Sequence, residues 1–209
     1  MKLAIFGASG RTGIPLVKQS LEKGYNVVAL VRTPSKLPIQ HPNLTVLQGD
    51  AMNAHDVERT IQGTNAVISA LGHTKGTPDD MQTVATQHII AAMKKHHVKR
   101  FISLTGAGVS APQDQPKFFN HLITFALKTL SGRVLKDAEQ HAQLIAKSDL
   151  DWTIVRGPML TEGAHTGNYR VGWVGVNTSA KISRADLAEF MLKQVSDTTF
   201  SKQMPMVSE

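Results

Sequence analysis

Three glycines, Gly7, Gly10 and Gly13, punctuate the run Gly7-Ala8-Ser9-Gly10-Arg11-Thr12-Gly13. A short apolar stretch, Lys2–Phe6, precedes the run, and apolar residues at helical spacing, Ile14, Val17 and Leu21, follow it. Glycine at such a junction allows a sharp turn from strand to helix and lets the backbone come close to an anion. The first N–H groups of the helix then face that anion. The expected chemistry is the cradling of a pyrophosphate, with Ser9, Arg11 and Thr12 as the side-chain members of the cradle. The alternative reading is a tight turn with no ligand.

The next informative position is the end of the second predicted strand, Asn26–Val31. Dinucleotide folds that bind NAD carry an acid about 20 residues after the glycine loop, to accept hydrogen bonds from the ribose 2′-hydroxyl. Arg32 stands there instead. An arginine pairs with a 2′-phosphate that an acid would repel, and Thr33, Ser35 and Lys36 offer further donors. The residues therefore favour NADP(H) over NAD(H), with a solvated basic turn as the alternative. Arg11 is a second candidate for the same phosphate. After the third strand, in Gln48-Gly49-Asp50-Ala51-Met52, Asp50 is either an acceptor for the adenine amino group or a turn residue leading into a helix. Ala70-Leu71-Gly72, after the fourth strand, places small residues where backbone must pass close to a ribose or nicotinamide.

These loops need a scaffold, and the pattern supplies one. Strands at Lys2–Phe6, Asn26–Val31, Leu44–Leu47, Ala66–Ala70 and Arg100–Leu104 alternate with helices at Gly13–Lys23, Asn53–Gln62 and Asp80–His97. Asn53 is the expected N-cap, and Gly24 and Gly63 the expected stops. Such alternation means βαβ units and a parallel sheet, whose ligands sit beyond the carboxyl ends of the strands. In the second half, Phe118–Leu130 reads as a helix that Gly132 interrupts before another helix to about Lys147, and Trp152–Val155 reads as a strand. Residues 157–180 read as Gly-rich and irregular, and Ser183-Arg184-Ala185-Asp186 has capping-box spacing at the start of a last helix.

Composition narrows the classes. The chain has 209 residues, 41% of them hydrophobic, enough to bury one core. It has no cysteine, which excludes disulfides, thiolate nucleophiles and Cys-based metal sites, and no metal ligand set is expected. The formal charge is +7, but the densest basic run, Lys94 to Arg100, follows an apolar helix whose C-terminal dipole favours cations. Nucleic acid is therefore not the expected partner. Apolar runs of about half a dozen residues fall far below the ~18 of a membrane span. With no secretory signal pattern at the start, a cytoplasmic location is expected.

Taken in order, Gly7-x-x-Gly10-x-x-Gly13, Val31-Arg32, Gly49-Asp50 and Ala66 to Gly72 form the first part of a longer pattern. Phe101 to Gly108, Leu150 to Pro158 and Ile182 to Ala188 complete it. The pattern resembles the short-chain dehydrogenase/reductase superfamily, in its atypical NmrA-like NAD(P)H-binding branch, which includes the biliverdin/flavin reductase type. The resemblance implies an α/β fold: a single Rossmann-like, doubly wound parallel sheet over residues 1–209, with a small C-terminal lobe on the substrate side. Residues up to about 110 form the nucleotide-binding core, and 111–209 complete the sheet and cover the cleft. The resemblance also puts Arg156-Gly157-Pro158 near the nicotinamide. Leu71, Gly72, Thr105, Gly106 and Pro158 then shape that pocket, with Thr105 as the hydroxyl donor. Typical members protonate a carbonyl with Tyr-x-x-x-Lys. Here Tyr25 and Tyr169 are followed four residues on by Ala29 and Trp173, so the pair is absent. Two functions fit. One is an NADPH-dependent reductase passing hydride to a flavin, quinone or related conjugated carbonyl held in a cleft over the nicotinamide. The other is a non-catalytic NADP(H) sensor acting through a protein partner. His73, His121 and His141 are possible cleft residues, with surface or structural roles favoured.

Overall fold

Leu3 and Ile5 of β1 (Lys2–Phe6) are buried in one hydrophobic cluster, and Ala4 and Phe6 in another. A strand buried on both faces belongs to the interior of a covered parallel sheet, and the whole architecture follows from that. The computed structural model describes residues 1–116 and 118–209, with side chains described outside 117–131. In the first half, β1 is followed by α1 (Gly13–Glu22), β2 (Asn26–Val31), β3 (Leu44–Gln48), α2 (Ala54–Ile61), β4 (Ala66–Ser69), α3 (Met81–Lys95) and β5 (Arg100–Gly106). The second half contributes α4 (Phe118–Ala146), β6 (Asp151–Gly157), β7 (Met159–Thr161), β8 (Arg170–Gly172), β9 (Lys181–Ser183), α5 (Arg184–Lys193) and β10 (Met206–Ser208). The main sheet has the order β3-β2-β1-β4-β5-β6-β10-β8. Its first six strands are parallel and run in the Rossmann order. Leu16 and Val17 of α1 pack with Leu187 and Met191 of α5 on one face of the sheet. Val57 of α2, Ile89 of α3 and Ile145 of α4 pack on the other.

Local signals explain most boundaries. Asn53 caps α2 by accepting from the N–H groups of His55 and Asp56 at 2.9 and 3.2 Å. Gly24 and Gly63 follow their helices at φ +76° and +72°, the left-handed geometry of a helix stop. Ser183 caps α5 by accepting from the N–H of Asp186 at 3.0 Å. The reciprocal half of the expected box is replaced, because the Asp186 carboxylate accepts from Thr166 and Gly167 N–H instead. The basic run lies at the end of α3, where Lys94 pairs with Asp149 and Lys95 with Glu58, consistent with a neutralised helix end.

Two expectations for the second half need correction. Gly132 does not interrupt a helix. It lies inside the continuous α4, where a glycine costs only about 1 kcal/mol relative to alanine. The stretch 157–180 is not wholly irregular either. β7 pairs with β9 in a small second sheet, and β8 pairs antiparallel with the C-terminal β10, which lies parallel beside β6. These strands are three residues long, too short for an alternating pattern to register.

Arg156, on β6, ties this half together. It is fully buried. Its guanidinium makes two 2.7 Å bonds to the Asp114 carboxylate and donates to the carbonyls of Val109 at 2.9 Å and Met204 at 2.8 Å. Burial pushes the Asp114 carboxyl up. The Arg156 bonds and the N–H groups of Ala111 and Val174 outweigh burial and hold it below the usual carboxylate range. A depressed carboxyl contributes stability above its unfolded pKa and loses it as pH falls through the folded value. Removing one partner of a buried pair costs about 3–5 kcal/mol. Asp114→Ala should therefore lower the urea midpoint by roughly 1–3 M at neutral pH, with a smaller loss at pH 3, measured by circular dichroism.

Candidate active site

Strand register brings the predicted loops to one edge. Phe6 pairs with Leu30 and Ser69, Ser69 with Ser103, and Thr105 with Arg156. Gly7, Arg32, Ala70, Thr105 and Pro158 therefore emerge side by side at the carboxyl ends of the strands. The three loop glycines differ in their work. Gly7 has φ +74°, and a Cβ there would lie 2.5 Å from the Ala70 carbonyl oxygen. A Cβ on Gly13 would collide with the backbone of Gly7 and Ala8. These two are needed by the fold itself. Gly10 is exposed, and a Cβ on it would meet only the Gly7 carbonyl oxygen, at 3.1 Å. The positive φ of the loop belongs to Gly7 and not to Gly10. The N–H groups of Arg11, Thr12 and Gly13 have no protein acceptor among the described residues, which leaves them available to an anion at the start of α1. Ser9 lies half-buried on the same loop and Thr12 is buried at the N-cap.

Arg32 is exposed directly after β2, and Lys36 is exposed at the end of the 3₁₀ turn Pro34–Lys36. The ion pairs of the described residues involve other cations, so neither has a carboxylate partner. Arg11 is placed differently. It lies 3.5 Å from Glu162, which also holds Arg184 at 2.7 Å. Asp50 accepts from the N–H of Met52 at 2.9 Å, the turn role that competed with adenine binding. Its own N–H donates to Asp56 at 3.0 Å. Ala51 is buried in the core.

Beyond the strand ends lies a pocket of about 290 Å³ lined by Leu71, Gly72, Thr105, Gly106 and Pro158. Its outer wall is α4, through Val134, Leu135 and Ala138. Thr105 is buried and its hydroxyl has no hydrogen-bond partner among the described residues, so it sits beneath the pocket surface as an unspent donor. Gln82 donates to the Leu71 carbonyl at 3.0 Å and fixes the loop after β4.

Two of the three candidate histidines take definite places. His73 lines the pocket, with Nε2 2.7 Å from the Asp137 carboxylate. His141 is buried behind it, with Nδ1 3.4 Å from the Thr86 hydroxyl, and burial pulls its pKa down to about 4. It is therefore neutral at ordinary pH. The side chain of His121 lies outside the described residues. Asp137 was not expected as a site residue. It is 64 residues from His73 in sequence, and no spacing rule connects a loop after β4 to the middle of α4.

Residues 7–198 match the NAD(P)H-binding family, and the chain belongs to that family. Its likenesses agree in fold. It is 28% identical to the uncharacterised protein YwnB of Bacillus subtilis, over 93% of this chain and 92% of that one. A short-chain dehydrogenase/reductase of Veillonella parvula, solved in complex with NADP, superposes with a TM-score of 0.82 at 20% identity, covering 100% of this chain and 94% of that one. ChuY, described as an anaerobilin reductase from Escherichia coli O157:H7, superposes with a TM-score of 0.81 at 21% identity, covering 100% and 97%. The NAD(P)H-binding family read from the motifs stands, with the Rossmann-like α/β fold. Among the described residues no helix is long and apolar enough to cross a membrane.

The glycine loop yields a contrast between two substitutions. Gly10→Val should keep the circular dichroism spectrum and melting temperature while losing any rise in melting temperature on addition of NAD(P)H. Gly13→Val should lower the melting temperature before any cofactor is added. An NADPH-induced rise in Gly10→Val would place the dinucleotide elsewhere.

Proposed function

We propose that this protein is an NADPH-dependent reductase that passes hydride to a flavin, quinone or related conjugated carbonyl. The observation that carries the choice of cofactor is Arg32 with Lys36, exposed beside the glycine loop without a carboxylate partner among the described residues. The donors of the loop suit a pyrophosphate, and Arg32 and Lys36 suit a 2′-phosphate. Asp50, through its second carboxylate oxygen, is assigned to the adenine side. Ala70, Leu71 and Gly72 border the ribose and nicotinamide, and Gly106 and Pro158 the ring. The cofactor, when bound, supplies hydride; the protein's part is to bind, orient and exclude water.

The acceptor class rests on the pocket. Its walls are largely aliphatic, from Leu71, Leu104, Val109, Leu135 and Leu160, which suits a planar conjugated molecule over a small polar one. Without a Tyr-x-x-x-Lys pair, alkoxide charge on a simple carbonyl is poorly stabilised, whereas a conjugated system spreads it and leaves more of the rate to orientation. The fold shared with a reductase of known name supports the same reading. A small-molecule acceptor, rather than a nucleic acid or membrane, is the partner proposed.

Two experiments test it. Charge-assisted contacts to a phosphate contribute roughly 1.5–3 kcal/mol each, so NADP(H) should bind at least about tenfold tighter than NAD(H). Arg32→Asp should erase that preference, read by calorimetric titration of both cofactors. NADPH oxidation, followed by absorbance, should be faster with a quinone or FMN than with small aldehydes at matched concentration. Equal cofactor affinities would overturn the NADPH assignment. Tight NADPH binding with no turnover on any acceptor would favour the sensor.

A further inference from the structure

The pocket holds an ionisable group that the motifs did not single out as catalytic. His73 sits on the loop after β4, at the carboxyl edge of the sheet, and lines the pocket together with Thr105 and Pro158. Its side chain is only 12% exposed, and its partner Asp137 is buried at 1%. Asp137 accepts from four groups at once. The N–H of Gln82 lies at 2.8 Å, the N–H of Thr83 at 2.9 Å, the Thr83 hydroxyl at 2.5 Å and the His73 ring at 2.7 Å. A carboxylate with these donors stays ionised. Burial alone would raise it, but the hydrogen bonds from Thr83, Gln82 and His73 together hold it below the usual carboxylate range. It also sits at the start of α3, where the helix dipole favours an anion.

An ionised Asp137 fixes the tautomer of His73. Nε2 must carry a hydrogen to bond the carboxylate, so Nδ1 is the nitrogen left for proton exchange. Among the described residues Nδ1 has one hydrogen-bonding neighbour, the Thr77 hydroxyl at 3.4 Å. That hydroxyl spends its proton on the Thr74 carbonyl at 2.8 Å, so it offers Nδ1 only a long, weak acceptor. From α4, His141 packs nearby but is buried and neutral. The Arg133–Asp79 pair on the rim is exposed and mutually compensated.

We infer that His73, oriented by Asp137, is the proton donor to the acceptor in the pocket. The inference rests on the reductase reading and deepens it by supplying the acid that the absent tyrosine leaves wanting. His73 enters the step as imidazolium, with Nε2–H on Asp137 and a solvent-derived proton on Nδ1; as the acceptor gains a hydrogen and two electrons as hydride, the negative charge developing on its conjugated oxygen or nitrogen takes the Nδ1 proton. The N–H bond at Nδ1 breaks and an O–H or N–H bond forms on the acceptor. His73 is left as neutral imidazole with Nε2–H still on Asp137, and solvent returns the proton. NADPH is the electron donor, and the overall change is one hydride plus one proton added to the acceptor. Thr105, whose hydroxyl is buried beneath the surface, then serves the pocket floor rather than the proton. Asp137 is a positioning residue, acting through His73.

The test has one arm without cofactor and one with it. Proton–nitrogen NMR of the unliganded protein should show the neutral His73 ring protonated at Nε2, and Asp137→Asn should weaken that preference. A ring protonated at Nδ1 in the wild type overturns the inference. In turnover, His73→Gln should cut kcat with an enone about a hundredfold and with menadione less, with the KM for NADPH changed under twofold. It should also abolish the alkaline fall of the wild-type kcat profile. Because Asp137 and its backbone bonds are untouched in His73→Gln, its melting temperature should stay close to wild type. Wild-type turnover retained within twofold in His73→Gln overturns the inference and leaves the reductase standing. No turnover by the wild type on any acceptor overturns both.

Discussion

The buried guanidinium of Arg156 is the constraint on which the substrate side of the molecule depends. A charge with no exposure to water is tolerable only when it is paired and hydrogen-bonded. The acceptors come from two places remote from it and from each other in sequence. Asp114 and Val109 belong to the loop after β5, and Met204 precedes the last strand. Satisfying one side chain therefore positions the loop that carries Gly108 and Val109 into the pocket and seats the C-terminal strand beside β6. Asp114 passes the constraint on, because it also accepts from the N–H of Val174 at 3.0 Å, in the hairpin beyond β8.

The cofactor side is built on a different principle. There the backbone does the work through close approach. β1 and the segment after β4 come so near at Gly7 and Ala70 that no side chain fits between them, and α1 starts against the same turn. One half of the site thus rests on the absence of side chains and the other on one large charged side chain fully compensated. The pocket lies where the two meet, at the ends of β4, β5 and β6.

This division explains what could be read from the sequence. Glycine spacing, the strand–helix alternation and the arginine after β2 are local signals, and the parallel sheet and its ligand edge follow from them. Asn53, Gly24 and Gly63 marked helix ends for the same reason. Asp50 remained ambiguous because an aspartate that can accept from a ligand can accept equally from Met52 two residues on. The pairs Arg156–Asp114 and His73–Asp137 were invisible, since each joins residues 42 or 64 positions apart and only the folded chain makes them neighbours. The continuous α4 was missed through one glycine, whose local cost is smaller than the packing of the helix around it.

The way the sheet ends has a consequence for how the protein behaves among its own copies. An edge strand offers a row of unpaired N–H and C=O groups on which another chain can assemble. β8 offers very little of such a row. It is three residues long, the Val171 carbonyl accepts from the Asn177 side chain at 3.1 Å, and the chain turns straight back from Trp173 to Val176. Arg170, at its start, is bonded to the carbonyl of Glu209. The C-terminal extension of the sheet thus turns back on itself, and the same few residues that complete the fold leave little of this edge for another strand to pair with.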